Sequence, residues 1–309
     1  MEGKVSICIP AYKRVDFLKR LLESILEQTY KNHEVVITDD SDDDSVEKLL
    51  VNYQDKLNII YHKNNPALGT PRNWMAAFSY ATGDWIKLIH DDDWFANPDA
   101  LSRYVAAITP DCRYIFSGYN AYYENDNRYV DKTVAKAKFD HISKKPFRLL
   151  SGNIIGPPSV LMFHKSIKDY YEPELKWLVD IEYYISVLLK EKAIYINEPL
   201  INMSYNDSQV TNNCYNNPEI EIPEILFILK KYEHFNTKDI IVYDALWRSV
   251  RNNNIRSIEQ MKHYSQAYPI PDFLRNIVTF QQNIPSYLLK IGLFSKIFMT
   301  ISYTFNHKT

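Results

Sequence analysis

The chain has 309 residues, 46% hydrophobic and 24% charged, enough to bury a core in one large α/β domain with room for an extension. A formal net charge of −2 gives no overall pull towards nucleic acid, and no nucleic-acid partner is expected. Three scattered cysteines (Cys8, Cys112, Cys214) without CxxC or CxxH spacing argue against a disulfide framework or a zinc site and fit a reducing compartment.

The first ten residues hold too few apolar positions for a signal peptide. Residues 4–9 (KVSICI) read as a buried strand stopped by Pro10, and Asp16 stands where it caps a helix whose stripe is Phe17, Leu18, Leu21, Leu22, Ile25 and Leu26. Residues 34–38 predict a second strand running into Asp39, Asp40 and Ser41. Asp44 and Glu47 have the spacing of a capping box for a helix carrying Val46, Leu49, Leu50 and Tyr53, and residues 57–61 read as a third strand. Thr70-Pro71 opens a helix with Trp74, Ala77, Phe78 and Ala81 on its core face, ended by Gly83.

A fourth strand, residues 85–90, leads into Asp91, Asp92 and Asp93. Three consecutive carboxylates at the end of a buried strand repel one another and lose hydration unless a cation sits among them. Oxygen ligands on a loop suit Mg²⁺ or Mn²⁺; the alternative is a solvated acidic turn capping the next helix. Strands alternating with helices, with near-continuous apolar strands, predict a parallel sheet covered on both faces. Ligands bind such sheets beyond the strands' carboxyl ends, where residues 10–14, 39–40 and 91–93 all fall. Seven glycines, with neither GxGxxG nor a P-loop pattern among them, mean that any nucleotide is held in another way.

Residues 111–205 are less regular, with a strand at 113–117, a lysine-rich stretch at 132–145, GPPS at 156–159 before an apolar run, a helix at 180–190 and a short strand at 193–196. From about 219 the pattern is helical. The final 37 residues contain no Asp or Glu but hold Arg275, Lys290, Lys296 and Lys308. Two of these lysines fall inside the apolar stretch 286–304, which makes it a poor membrane span and suits a helix lying in a bilayer surface. The alternative is a helix packed back on the rest of the chain.

Four segments in this order, VSICIPAY at 5–12, EVVITDD at 34–40, NPALGTPRN at 65–73 and GDWIKLIHDDD at 83–93, resemble the family 2 inverting glycosyltransferases of the GT-A fold, over roughly residues 4–210. The resemblance implies an α/β architecture, a mostly parallel sheet flanked by helices. Nucleotide-sugar binding would occupy 1–98, the acceptor side 99–215, and a helical extension with a basic apolar tail 216–309. It implies that Pro10, Ala11 and Tyr12 line the nucleobase, that Arg14 approaches the phosphates, and that Asp39 reads the base. Gly69 would allow close backbone approach and Arg72 would sit near the pyrophosphate. Asp91, Asp92 and Asp93 match a DXD motif, with Asp91 on ribose or a metal-bound water and Asp93 the direct ligand of Mn²⁺ or Mg²⁺.

Asp180, in WLVDIEY at 177–183, matches the catalytic base, which takes the proton of the attacking sugar hydroxyl. Two positions depart from the family: Val179 stands where a glutamate is usual, and Asn206 where relatives place a metal-binding histidine. The implied reaction is a single displacement from a nucleotide-diphosphate sugar, UDP-linked by expectation, onto a saccharide hydroxyl in capsule or lipopolysaccharide synthesis. The acceptor could be carried on a polyprenyl diphosphate, with the protein in the cytoplasm or on the inner membrane face. Two other readings stand beside it. A sugar-nucleotide nucleotidyltransferase would want a glycine-rich basic loop where residues 10–14 read PAYKR, and a non-catalytic scaffold would bind saccharide or a membrane complex through the 24 tyrosines and the tail.

Overall fold

In the computed structural model residues 3–205, 214, 216–232, 238–265 and 268–307 are described. They form two compact units that interleave along the chain: Met1–Pro146, Ile154–Glu174 and Tyr183–Asp207 make the first, and Phe147–Asn153, Leu175–Glu182 and Ser208–Thr309 the second.

In the first unit β1 (Val5–Ala11) is buried along its whole length, which is why its sequence is apolar but for Ser6 and not an alternation. Helix α1 (Val15–Leu26) carries the chain to β2 (His33–Asp39), burying Leu18, Leu21, Leu22 and Ile25 in the cluster that holds Ile7, Ile9, Val35 and Ile37. Then follow α2 (Ser45–Leu50), β3 (Ile59–Lys63), α3 (Arg72–Tyr80), β4 (Trp85–Leu88) and β5 (Asp93–Phe95). Next come α4 (Ala100–Ala106), β6 (Tyr114–Tyr123), β7 (Arg128–Lys132), α5 (Lys136–Lys144), β8 (Leu161–His164), α6 (Val179–Lys190) and β9 (Ala193–Tyr205).

Among the described residues nine strands make one sheet, in the order β3-β2-β1-β4-β8-β6-β9-β5, with β7 paired to β6. The β3-β2-β1-β4 half is parallel throughout. Beyond β4 the pairing is mixed: β8 is antiparallel to both β4 and β6, whereas β6 and β9 run parallel.

Several local expectations are corrected. Pro10 does not stop β1; the ladder to β4 ends at Cys8, and Pro10 continues the strand on the β2 side, opposite Thr38. The N-cap of α1 is Arg14, and Asp16 lies in the first turn, where a carboxylate favours the helix dipole without capping it. Asp44 occupies the N-cap of α2 without a side-chain capping bond and pairs instead with Lys63 at 3.0 Å. Helix α3 ends at Tyr80, its C-cap Ala81 lying two residues before Gly83, whose glycine answers crowding: a Cβ there would meet the Lys4 carbonyl at 2.6 Å.

The second unit is helical. After the first turn of α6 it contains α7 (Pro218–Lys231), α8 (Ile240–Asn252), α9 (Ile258–Ser265), α10 (Asp272–Gln282), α11 (Ser286–Lys290) and α12 (Gly292–Asn306). Its core joins Leu178 to Leu226, Leu246, Trp247, Ile277 and Val278. No helix among the described residues is long and apolar enough to cross a membrane.

Candidate active site

The chain turns sharply where β4 ends, the Asp93 N–H donating to the His90 carbonyl at 3.1 Å. The Asp91 side chain is 1% exposed; its Oδ2 accepts from the Tyr12 N–H at 3.0 Å and its Oδ1 from Arg14 Nη2 at 2.5 Å. The other guanidinium nitrogen, Nη1, reaches Asp92 Oδ2 at 2.5 Å. A planar fork bridging two adjacent carboxylates offsets repulsion that a single ammonium would relieve less completely. Arg14, which the resemblance sets near the phosphates, pairs with Asp91 and Asp92 in this structure.

Asp93 is held by the segment that leads into β8. Its Oδ2 accepts the Ser159 hydroxyl at 2.5 Å, and the same oxygen of Ser159 accepts the His90 N–H at 3.0 Å. Beneath them Lys87 is fully buried, its Nζ donating to the carbonyls of Ser159, of Leu88 at 3.1 Å and of Leu161 at 3.4 Å. Burial pushes the Asp91 and Asp93 carboxyls well above the usual carboxylate range; the Asp92 charge adds to this, and Arg14 opposes it. Burial likewise pushes the Lys87 ammonium well down.

Ligand atoms of His90, Asp92 and Asp93 lie within 4.8 Å of one another. The oxygens of Asp91, which the resemblance sets beside Asp93 on the metal side, accept from Tyr12 and Arg14. His90 Nε2 is buried with no hydrogen-bond partner, and burial lowers this histidine to about 4, leaving the imidazole neutral and able to ligate at neutral pH. Two carboxylates and a neutral imidazole fit Mn²⁺ well and Mg²⁺ acceptably. Asn206, the other expected ligand, lies outside the described residues.

The β1 and β2 ends are joined, Asp39 standing opposite Ala11 in the ladder and the Asp40 N–H donating to the Ala11 carbonyl at 3.0 Å. Pro10 and Ala11 are buried, whereas Tyr12 is 52% exposed at the strand's end. Asp39 is fully buried; its oxygens accept from the Ser41 N–H at 2.8 Å and the Tyr61 hydroxyl at 2.9 Å. Asp40 organises the following loop, accepting from Asn64 Nδ2 at 2.8 Å, the Leu68 N–H at 2.9 Å and the Gly69 N–H at 2.8 Å. Gly69 has φ +70°, a left-handed backbone conformation that favours glycine, and a Cβ there would meet nothing of the protein within 4 Å. Arg72 opens α3 with its side chain exposed.

In the second unit Asp180 lies in the first turn of α6. Its Oδ1 accepts from the Ile181 N–H at 2.8 Å and its Oδ2 from Asn153 Nδ2 at 2.7 Å. Burial raises this carboxyl to about 6 despite both bonds. Glu182 turns away, bound by Lys231 at 2.6 Å and the Tyr232 hydroxyl at 2.7 Å. Glu224 on α7 accepts the N–H groups of Lys176, Trp177 and Leu178 at 2.7, 3.0 and 2.7 Å, fixing the approach to α6 from outside that helix.

Sequence reasoning missed His90, Asp40, Lys87 and Glu224 in these roles, and met Ser159 only as part of the GPPS segment before an apolar run. His90 had a signal in its adjacency to the triplet, and Lys87 in being a charge inside an apolar strand. Glu224 had none, since a helical glutamate reads as a solvated face.

Acidic groups gathered at the carboxyl ends of parallel strands, with an imidazole among them, stand where α/β proteins of this kind bind their ligands. The family model described as Glycosyl transferase family 2 matches residues 6–171, and the chain belongs to that family. An abequosyltransferase of Salmonella typhimurium, RfbV, is 36% identical over 102 residues, covering 32% of this chain and 30% of its own. A putative teichuronic acid biosynthesis glycosyltransferase of Bacillus subtilis, TuaG, is 22% identical over 213 residues, 68% of this chain and 82% of its own. Among solved structures, S. aureus TarS 1–349 in complex with UDP-GlcNAc superposes with a TM-score of 0.64 at 18% identity, covering 98% of this chain and 91% of that one. The chain spans 54% of a longer TarS structure. A Pyrobaculum calidifontis mannosyltransferase with GDP-Man and Mn²⁺ gives 0.57 at 12% identity, covering 100% and 89%. These likenesses establish the GT-A-type fold, with its curled sheet, flanking helices and C-terminal helices.

Proposed function

We propose that the protein transfers a sugar from a UDP-sugar to a saccharide hydroxyl with inversion, during synthesis of a bacterial surface polysaccharide such as capsule or O-antigen. The observation that carries this reading is the His90, Asp92 and Asp93 cluster at the end of β4, in a chain of this family. The names of RfbV and TuaG support a polysaccharide product. Relatives of this fold are seen with UDP-GlcNAc and with GDP-Man and Mn²⁺, which supports a nucleotide-sugar donor and a divalent ion.

In this reading Tyr12 stacks against the base above Pro10 and Ala11, with Asp39 as the buried acceptor at the floor of that site. Asp40 holds the 64–69 loop and Gly69 so that Arg72, at the start of α3, faces the diphosphate. Arg14 fixes Asp91 and Asp92, leaving Asp91 near the ribose. His90, Asp92 and Asp93 would hold Mn²⁺ or Mg²⁺, which when bound supplies Lewis-acid stabilisation of the nucleoside diphosphate.

The acceptor oxygen bonds to the anomeric carbon as the carbon–oxygen bond to the diphosphate breaks, and the hydroxyl proton passes to the Asp180 carboxylate. A carboxyl near 6 is ionised at neutral pH yet basic enough to assist. Residues 1–98 would bind the donor and 99–215 the acceptor, which we assign to a polyprenyl-diphosphate-linked saccharide met at the cytoplasmic membrane face.

Calorimetric titration of UDP, GDP and dTDP, with and without Mn²⁺, tests this on wild type and Asp93→Ala. Mn²⁺-dependent UDP binding, weakened at least about tenfold in the variant, is expected. Binding to none of the nucleotides would overturn the reading, and tight binding without metal would remove the ion from it.

A further inference from the structure

Helix α12 (Gly292–Asn306) is amphipathic in the reverse of the usual sense. Its inward positions are Ser295, Met299 and Ser302, at 2%, 5% and 1% exposure. Ser295 Oγ accepts from Trp247 Nε1 at 3.0 Å and Arg251 Nη1 at 2.9 Å, and Ser302 Oγ bonds the Tyr243 hydroxyl at 2.8 Å. Polar contacts of defined length therefore dock this helix on α8.

Its outward positions carry the apolar residues. Leu293, Phe294, Ile297, Ile301 and Phe305 are 71%, 42%, 46%, 40% and 66% exposed, preceded by Tyr287 at 67% and Ile291 at 46%. At about 100° per residue the five helical positions fall within an arc of about 120°. Of the fifteen exposed large apolar side chains in the described residues, seven lie between Tyr287 and Phe305. A soluble surface scatters such groups singly; a continuous stripe marks something that covers it.

Charge chooses the covering. Nothing after Asp272 is acidic, and Lys290 and Lys296 are exposed beside the stripe, with Arg275 and Lys308 in the same stretch. Two copies meeting through this face would bring these cations together with no carboxylate of the tail between them, which disfavours a self-pair. An anionic lipid surface meets both features, since apolar side chains enter the acyl boundary while lysines reach the headgroup phosphates.

We propose that the α12 stripe of Leu293, Phe294, Ile297, Ile301 and Phe305 lies in the surface of an anionic bilayer, with Lys290 and Lys296 on headgroup phosphates. The inference deepens the membrane-face part of the proposed function and rests on that reading.

The test is co-sedimentation of the full chain with phosphatidylcholine vesicles, with and without phosphatidylglycerol. Wild type is compared with Leu293→Ser/Ile297→Ser/Ile301→Ser and with Lys290→Glu/Lys296→Glu. These positions are exposed, so both variants should keep the wild-type circular dichroism and Mn²⁺-dependent UDP binding. Wild type should sediment with the anionic vesicles and be released by salt, and each variant should bind at least about tenfold more weakly. Failure of wild type to bind anionic vesicles, or unchanged binding by both variants, would overturn the proposal. A wild-type dimer that the triple serine variant dissociates would assign the face to a second copy and overturn it as well. Vesicle binding without nucleotide binding would leave this face standing while the transferase reading fell.

Discussion

A carboxylate that takes a proton from a sugar hydroxyl gains from being a stronger base than a solvated aspartate, provided it stays ionised at working pH. Burial places Asp180 at about 6, near that compromise. If it is the base, only its ionised form works, so kcat/KM should rise with pH through a midpoint near 6 and level off above 7. Asp180→Asn should lower kcat about 10²–10⁴-fold while leaving UDP affinity within about twofold. A flat pH profile, or turnover retained in the variant, would remove Asp180 from the role. The triplet follows a related logic for ligand binding, with the same sign. Because burial favours protonated Asp93, a divalent ion must displace a proton, and its affinity should weaken as pH falls. His90→Ala should weaken Mn²⁺ binding more than Mg²⁺ binding, since imidazole suits the former, and titration of each ion separates the two effects.

Elements place these residues by borrowing from one another. Glu224 on α7 gathers three backbone N–H groups just before α6, with one carboxylate acting as the cap that the local sequence lacks. Glu224→Ala leaves those donors unpaired and should cost about 2–4 kcal/mol, with Glu224→Gln recovering part of it. If the segment positions Asp180, Glu224→Gln should also depress kcat more than KM, whereas a purely structural glutamate would lower only the melting temperature. The parts legible in sequence were those encoded locally. The buried run of β1, the stripe of α1 and the acidic triplet each announce themselves within a dozen residues. β9 was read as four residues but runs from Ala193 to Tyr205, because its second half buries Asn202 and Ser204 in partnership with Asn120 and Glu124, more than seventy residues away. The same distance hid Ser159 and Glu224, whose partners lie 66 and 46 or more positions off. Asp44 and Glu47 show the opposite failure: a local pattern was present, and Lys63 took the carboxylate instead.

At the scale of the whole molecule the two units are not a catalytic domain followed by a detachable tail. Residues 147–153 and 175–182 are built into the helical unit, where Leu178 packs with Leu226 and Trp247. A chain ended at residue 207 would leave Phe147, Trp177 and Leu178 without that core and Lys176–Leu178 without Glu224. It should aggregate or lose the α6 helix, visible by size exclusion and circular dichroism; a soluble, fully helical and active fragment would contradict this. Lys87 offers a different use of the fold. Its amine sits in the centre of the sheet, wrapped by three carbonyls and closed to solvent. Exposed lysines such as Lys296 acylate as fast as the reagent allows, but Lys87 can react only when β4 and β8 part. Its acylation, read by mass spectrometry over time, becomes a clock for the rare opening of the sheet, slowed about 10³–10⁶-fold relative to the surface amines.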